Sequence, residues 1–154
     1  MRNRPGPSGL DGELRLAVYQ HIAESGVAPS PVDLARRFGI APMEAEDSLR
    51  RLAETEGALV LLPGSPYVWM AEPFSAVPTS FAVESGSQCW WGNCIWDALA
   101  VLALLGRDGM VSTSCPDCSE PLRVGVDGGV LEHDGAVAHF AVPAREWWRD
   151  IGFT

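Results

Sequence analysis

The sequence predicts an α+β fold: an N-terminal winged-helix-like module of three helices and a β-hairpin, then a small mixed or antiparallel sheet around one buried helix. Three observations carry this expectation. Apolar residues recur at helical spacing through the first third of the chain, and alternating apolar residues with Gly- and Asp-containing turns dominate the last third. Between them the run Ala98 to Leu105 is apolar on every side. With 154 residues, 47% of them hydrophobic, and six Trp, the chain has the make-up of a packed protein that needs no disulfides to hold a core.

In chain order, residues 1–9 are expected to be a frayed arm. Leu14, Leu16, Val18 and Ile22 then fit a helix from Asp11 to Glu24, stopped by Gly26 and Pro29. Ser30 is placed to cap a second, short helix, with Pro31 at its first position and Asp33 in its first turn. That helix carries Val32, Leu34 and Ala35 and ends at Phe38-Gly39. A third begins at Pro42 and runs to about Glu56, with Met43, Ala45, Leu49 and Leu52 inward and Gly57 closing it. Ala58 to Leu62 and Tyr67 to Met70 read as strands around the turn Pro63-Gly64-Ser65-Pro66.

The first module is thus assigned to residues 10–71. Residues 72–79, with two prolines and no periodicity, are expected to be a linker, and residues 80–154 the second domain. There a strand is expected near Ser80 to Val83. Asn93 is expected to cap a helix that begins at Cys94 and carries Trp96, Ala98, Leu99, Val101, Leu102 and Leu105 to Gly106. Met110 to Ser114, Leu122 to Val126, Val130 to His133 and Val137 to Val142 alternate as strands, with turns at Asp127-Gly128-Gly129 and Asp134-Gly135. Pro143 to Asp150 reads as a short helix bearing Trp147 and Trp148, and Ile151 to Thr154 as the start of a further strand. Such an edge would pair with another chain, so a homo-oligomer is one expectation.

Charge narrows the functions. The net charge is −9, from 11 Arg, no Lys and 20 acidic residues. The helix that would read DNA carries Glu44, Glu46 and Asp47 toward its start, where phosphate neutralisation would require the opposite sign. Nucleic acid is therefore not an expected partner, and the helix-turn-helix is read as a packing module. No apolar run approaches the roughly 18 residues a membrane span needs, and no apolar segment follows Arg2 and Arg4 as a secretory signal would require. The expected location is cytoplasmic, where Cys89, Cys94, Cys115 and Cys118 stay reduced and act as metal ligands, reactive thiols or apolar filler.

Two of these positions invite chemistry. Cys94 at the start of a helix would feel the positive end of the macrodipole, which favours thiolate, and Asp97 projects from the same face three residues on. That pairing sets a soft nucleophile beside a proton carrier, with Trp90, Trp91 and Trp96 able to exclude water. The residues serve equally as a buried cysteine beside an aspartate that bonds a local amide. Cys115-Pro116-Asp117-Cys118 has the shape of half a zinc ribbon, yet no second C-x-x-C or H-x-x-x-H completes it. It reads either as part of a thiolate site for zinc with Cys89 or Cys94, or as two thiols at a turn. His21, His133 and His139 have no partner at ligand spacing, and no Walker loop, dinucleotide fingerprint or G-x-S-x-G occurs.

The run Trp91-Gly92-Asn93-Cys94-Ile95-Trp96-Asp97-Ala98-Leu99, followed by Ser112-Thr113-Ser114-Cys115-Pro116, resembles the alkylmercury (organomercurial) lyases. So do the acidic winged-helix-like module and the segment Glu72-Pro73-Phe74-Ser75-Ala76-Val77-Pro78, so the likeness spans nearly the whole chain. The resemblance implies protonolysis of a carbon–mercury bond to a hydrocarbon and Hg(II), with no cofactor. It implies that Cys94 takes mercury as thiolate, that Asp97 relays the proton and then helps hold Hg(II), and that Cys115 is structural. The family's second catalytic cysteine belongs to a segment downstream of the part that Trp147 to Thr154 resembles. The resemblance thus leaves the second sulfur to Cys89, Cys118 or a cytosolic thiol. The alternative expectation is a non-catalytic metal-binding or metal-sensing protein that holds zinc or mercury at Cys89, Cys115 and Cys118.

Overall fold

Helix α1 spans Leu10–Ser25, and its buried face is Leu14, Ala17, Val18 and Ile22, an i, i+3, i+4, i+8 stripe. Leu16 lies off that stripe and is exposed, contrary to the inward position expected of it. The computed structural model describes residues 9–55, 59–132 and 135–152. The expected N-terminal arm (its first eight residues), Glu56 to Ala58, His133, Asp134 and the final Phe153-Thr154 lie outside the described residues, and the third helix, expected to reach about Glu56, ends at Ala53 with Glu54 as its C-cap. Gly26 ends α1 at φ 76°, and a Cβ there would overlap the Cys89 carbonyl oxygen, so both conformation and space demand glycine.

Helix α2, Pro31–Phe38, starts as expected. Ser30 Oγ accepts from the Asp33 amide at 3.1 Å, and Asp33 Oδ2 accepts from the Ser30 amide at 3.1 Å, a reciprocal capping box. Helix α3, Pro42–Ala53, buries Ala45, Ser48, Leu49 and Leu52. Met43 sits in its first turn ahead of that face and is 72% exposed, and Val32 of α2 also faces outward. Asp11 clamps α1 to α3: it accepts from Ser48 Oγ at 2.6 Å and from both Arg51 Nε and Nη2 at 2.9 and 2.6 Å. The Arg51 guanidinium holds the Asp11 carboxyl below its ordinary pKa. The other arginine of α3, Arg50, is paired to Glu46 and Asp47 on its own helix.

The described strands form one antiparallel sheet of eight: β1 (Val60–Leu61), β2 (Val68–Ala71), β3 (Phe74–Ser75), β4 (Ala82–Ser85), β5 (Gln88–Gly92), β6 (Gly109–Ser114), β7 (Pro121–Asp127) and β8 (Val130–Glu132). Their order is β1-β2-β3-β5-β4-β6-β7-β8. Two features were not expected. The stretch 72–79 is more than a linker, because Phe74 and Ser75 pair with β2 on one side and with Trp91 and Gly92 of β5 on the other. The hairpin of the N-terminal module is thereby continuous with the rest of the sheet. The polar stretch before Cys89 ends in β5, which takes a central place. Residues 137–142 form no strand: Val137 is 88% exposed, and Phe140 packs its ring 5.5 Å from that of Trp147, which donates from Nε1 to the Val142 carbonyl at 2.8 Å. Ala144–Arg149 is a 3₁₀ helix rather than an α-helix.

Helix α4, Ile95–Leu105, lies against β4, β5 and β6. Its sequence suggested burial on every side, but only Ala98, Val101 and Leu102 are fully buried, while Trp96 and Leu104 are 65% and 62% exposed. The sheet covers one face of the helix, and Trp96 and Leu104 lie off that face. Close approach is allowed by Gly92, where a Cβ would come within 2.5–2.8 Å of the Ala98 backbone and side chain. The core runs unbroken from Leu14 and Leu49 through Phe74 and Trp90 to Val101, Leu102 and Val111. Trp90 joins the two halves: its indole N–H lies 3.0 and 3.2 Å from the Ile22 and Ala23 carbonyls, two acceptors at the end of α1.

Candidate active site

The segment Gly92-Asn93-Cys94 turns the chain out of β5 and into α4, which decides what Cys94 and Asp97 face. Thr79 Oγ1 donates to the Gly92 carbonyl at 2.6 Å, and the Gly92 amide donates to the Phe81 carbonyl at 3.0 Å, so the entry is fixed from the β3–β4 connection. Cys94, not Asn93, is the N-cap residue: its backbone is extended (φ −144°, ψ −178°), and its carbonyl accepts the first helical bond from Ala98 at 2.9 Å. Asparagine is the better capping residue by chemistry. Here its side chain is committed elsewhere, with Nδ2 donating to Asp97 Oδ2 at 3.0 Å. The Asn93 Oδ1 is buried and has no protein partner.

Cys94 and Asp97 therefore share the head of α4, one turn apart and half-buried. Burial pushes the Cys94 thiol above its ordinary pKa. The backbone N–H groups of Asp97 and Trp96 oppose that rise, while the charges of Asp97 and Glu72 add to it. A helix start predicts a favoured thiolate, but at Cys94 desolvation outweighs the dipole. Burial also raises the Asp97 carboxyl, against the opposing hydrogen bond from Asn93. Desolvation thus moves both pKa values in the direction of the neutral form.

A third acid belongs to this neighbourhood. Glu72, in the tight turn between β2 and β3, is raised by desolvation and then by the charge of Asp97. It lines an open groove of about 490 Å³ with Arg15, Leu16 and Tyr19 of α1, Pro73, and Leu104 of α4. Glu72 is not among the expected site residues, because its proximity to Asp97 comes from the pairing of β3 with β5. A second groove, bordered by Trp96, Phe140, Val142, Pro143 and Trp147, opens beside the first turn of α4. Of the tryptophans expected to exclude water, Trp90 lies under α1 and Trp96 is largely exposed.

The other cysteines are elsewhere. Cys89 pairs across the sheet with Glu84, which pairs with Met110. Cys115 follows β6 five residues beyond Met110, so roughly 16 Å of strand separates the two thiol levels. The three-thiolate site expected at Cys89, Cys115 and Cys118 is thus not assembled, and no group of three or more His, Cys, Asp or Glu side chains among the described residues can hold a metal ion. Cys115 and Cys118 do share one turn. No helix among the described residues is long and apolar enough to cross a membrane.

Comparison with known proteins adds two findings. The alkylmercury lyase family model matches residues 74–154, just over half of the chain. Among solved structures, the chain is similar to the mercury-bound form of MerB2, with a TM-score of 0.64 and 20% identity. That match covers 82% of this chain and 60% of the MerB2 chain, so this chain spans less than two-thirds of that structure. No curated protein matches.

Proposed function

Since the chain belongs to the alkylmercury lyase family, we propose that it cleaves carbon–mercury bonds by protonolysis, with Cys94 as the mercury-binding thiol and Asp97 as the proton carrier. The observation that carries this reading is the placement of a thiol and a carboxyl one turn apart at the head of one helix, both partly desolvated, with the carboxyl held by Asn93. An organomercurial needs a soft sulfur for mercury and a proton delivered to carbon at close range, and this pair supplies both.

The bonds balance as follows. Mercury enters still bonded to its organic group and to a small thiolate or halide. The Cys94 thiol passes its proton to the Asp97 carboxylate, and its sulfur bonds mercury. The Asp97 carboxyl then protonates the carbon as the carbon–mercury bond breaks, and the hydrocarbon leaves with the bonding pair. Mercury stays divalent on the Cys94 sulfur beside the Asp97 carboxylate, and nothing is oxidised or reduced. Asn93 is the positioning residue: its hydrogen bond fixes the Asp97 rotamer, and its unpartnered Oδ1 is free to accept a proton-bearing group. The second sulfur on mercury is assigned to a small thiol of the cytosol, because the described residues bring no third ligand to this pair.

Benzene release from phenylmercury in excess small thiol tests the proposal. The parent should release benzene, and Cys94→Ser should lose at least about 10³-fold in rate. Equal rates in the two proteins, or no benzene from a folded parent, would overturn the assignment.

A further inference from the structure

The reaction proposed above leaves the Cys115-Pro116-Asp117-Cys118 turn unused, and that turn brings two cysteines together at the end of a hairpin. The hairpin from β6 to β7 closes with the Cys115 amide donating to the Glu120 carbonyl at 2.8 Å and the Ser119 amide donating to the Cys115 carbonyl at 2.8 Å. Ser119 takes φ 61°, the only non-glycine residue at positive φ among those described. This folds the chain so that the amides of Asp117 and Cys118 and the thiol of Cys118 gather around the Cys115 sulfur. Cys118 is exposed and Cys115 half-buried, so the pair is open to solvent.

We propose that Cys115 and Cys118 form a two-thiolate site for a soft divalent cation, Hg(II), separate from Cys94. The choice of ion rests on the lyase reading, which makes Hg(II) the product, and on coordination number. Zinc asks for four ligands, and the described residues offer no third beside this pair. Mercury is satisfied by two thiolates, and thiolates are the ligands soft metals select. Binding forms two sulfur–mercury bonds, releases the remaining thiol protons to solvent, and changes no oxidation state.

The location suits product capture. Strands β5 and β6 both run antiparallel to β4, with Trp91 and Ser112 both opposite Ala82. The chain therefore leaves toward Cys94 and toward Cys115 at the same end of the sheet, from strands about 10 Å apart. The pair would take Hg(II) from Cys94 by thiolate exchange and free the catalytic thiol for the next turnover.

The test uses inorganic mercury alone, so it reads this site whether or not carbon–mercury cleavage occurs. The Cys89→Ser/Cys94→Ser protein, treated with mercuric chloride and desalted in a small monothiol at about 1 mM, should keep one mercury per chain, because the second thiol is supplied intramolecularly. Adding Cys118→Ser or Cys118→Ala, at an exposed position, should lower the retained mercury at least about tenfold with an unchanged circular-dichroism spectrum. Equal retention with and without Cys118, no retention by the Cys89→Ser/Cys94→Ser protein, or one zinc per chain that mercury does not displace would each overturn the proposal.

Discussion

Cys94 and Cys115 leave the same end of one sheet, and their surroundings act in opposite directions. At Cys94 burial and the acids Asp97 and Glu72 keep the proton on sulfur. At Cys115 the donors of a tight turn, the Cys118 amide first, lower the thiol pKa. A helix N-terminus is commonly taken to activate a thiol, yet the cysteine at the helix head is the less acidic of the two. The sign follows desolvation and nearby charge, with the dipole of the first turn a smaller influence. The contrast matches the two tasks proposed for these thiols. A thiol that must surrender its proton to carbon should hold it until mercury arrives, and a thiol that only holds a cation should lose it readily.

The largest expected effect on this contrast comes from Asp97→Asn. With no carrier at the helix head, benzene release should fall about 10²- to 10⁴-fold, while mercury retention by the Cys115–Cys118 turn stays unchanged. Stability should move the other way. The folded Asp97 pKa is raised, so ionisation costs stability as pH climbs from the ordinary carboxylate range through the raised value, and that cost persists at neutral pH. Asp97→Asn should therefore have the higher melting temperature at pH 7, and a lower one would break the account of its burial.

Next in size is the difference in reactivity between the thiols. At pH 7 iodoacetamide should modify Cys115 about tenfold faster than Cys94, read by peptide mass spectrometry over time. Comparable rates would mean that the two environments are not opposed. A smaller change is expected from Glu72→Gln, which removes one negative charge near Cys94 and Asp97. The pH profile of Cys94 alkylation should move to lower pH while that of Cys115 stays in place. If both profiles move, or neither does, Glu72 does not act on the site through charge.

The smallest effect lies outside the comparison. Ser30→Ala breaks the capping box of α2 and should cost about 1 kcal/mol in urea unfolding. Because Ser30 touches neither thiol, both alkylation profiles should be unaltered, which separates loss of stability from loss of chemistry.

Much of this was legible in the residues. Ser30-Pro31 and Asp33 specify the start of α2 locally, since the groups that cap a helix lie within one turn of it. The Asp127-Gly128-Gly129 turn, with both glycines at positive φ, fixes the β7–β8 hairpin for the same reason. The C-x-x-D pattern brings Cys94 and Asp97 together because helical spacing alone puts them one turn apart. Other expectations failed where a distant partner decided the outcome. Residues 72–79 have no alternation, and only the neighbouring edges of β2 and β5 make Phe74-Ser75 a strand. Residues 137–142 do alternate, yet ring packing between Phe140 and Trp147 takes the place of a ladder.

What the sequence determined by itself was therefore the short-range structure: the helices and their caps, the tight turns, and the two pairs of chemical groups spaced for helix and turn. Tertiary structure alone decided the long-range relations. It brought Glu72 toward Asp97, put Cys89 at the far end of the sheet from Cys115, and committed the Asn93 side chain to Asp97 so that Cys94 became the cap. The physical reason is range. Capping and turn geometry act over three or four residues, whereas desolvation and charge coupling depend on which strands become neighbours, and that is settled by burial of the whole core.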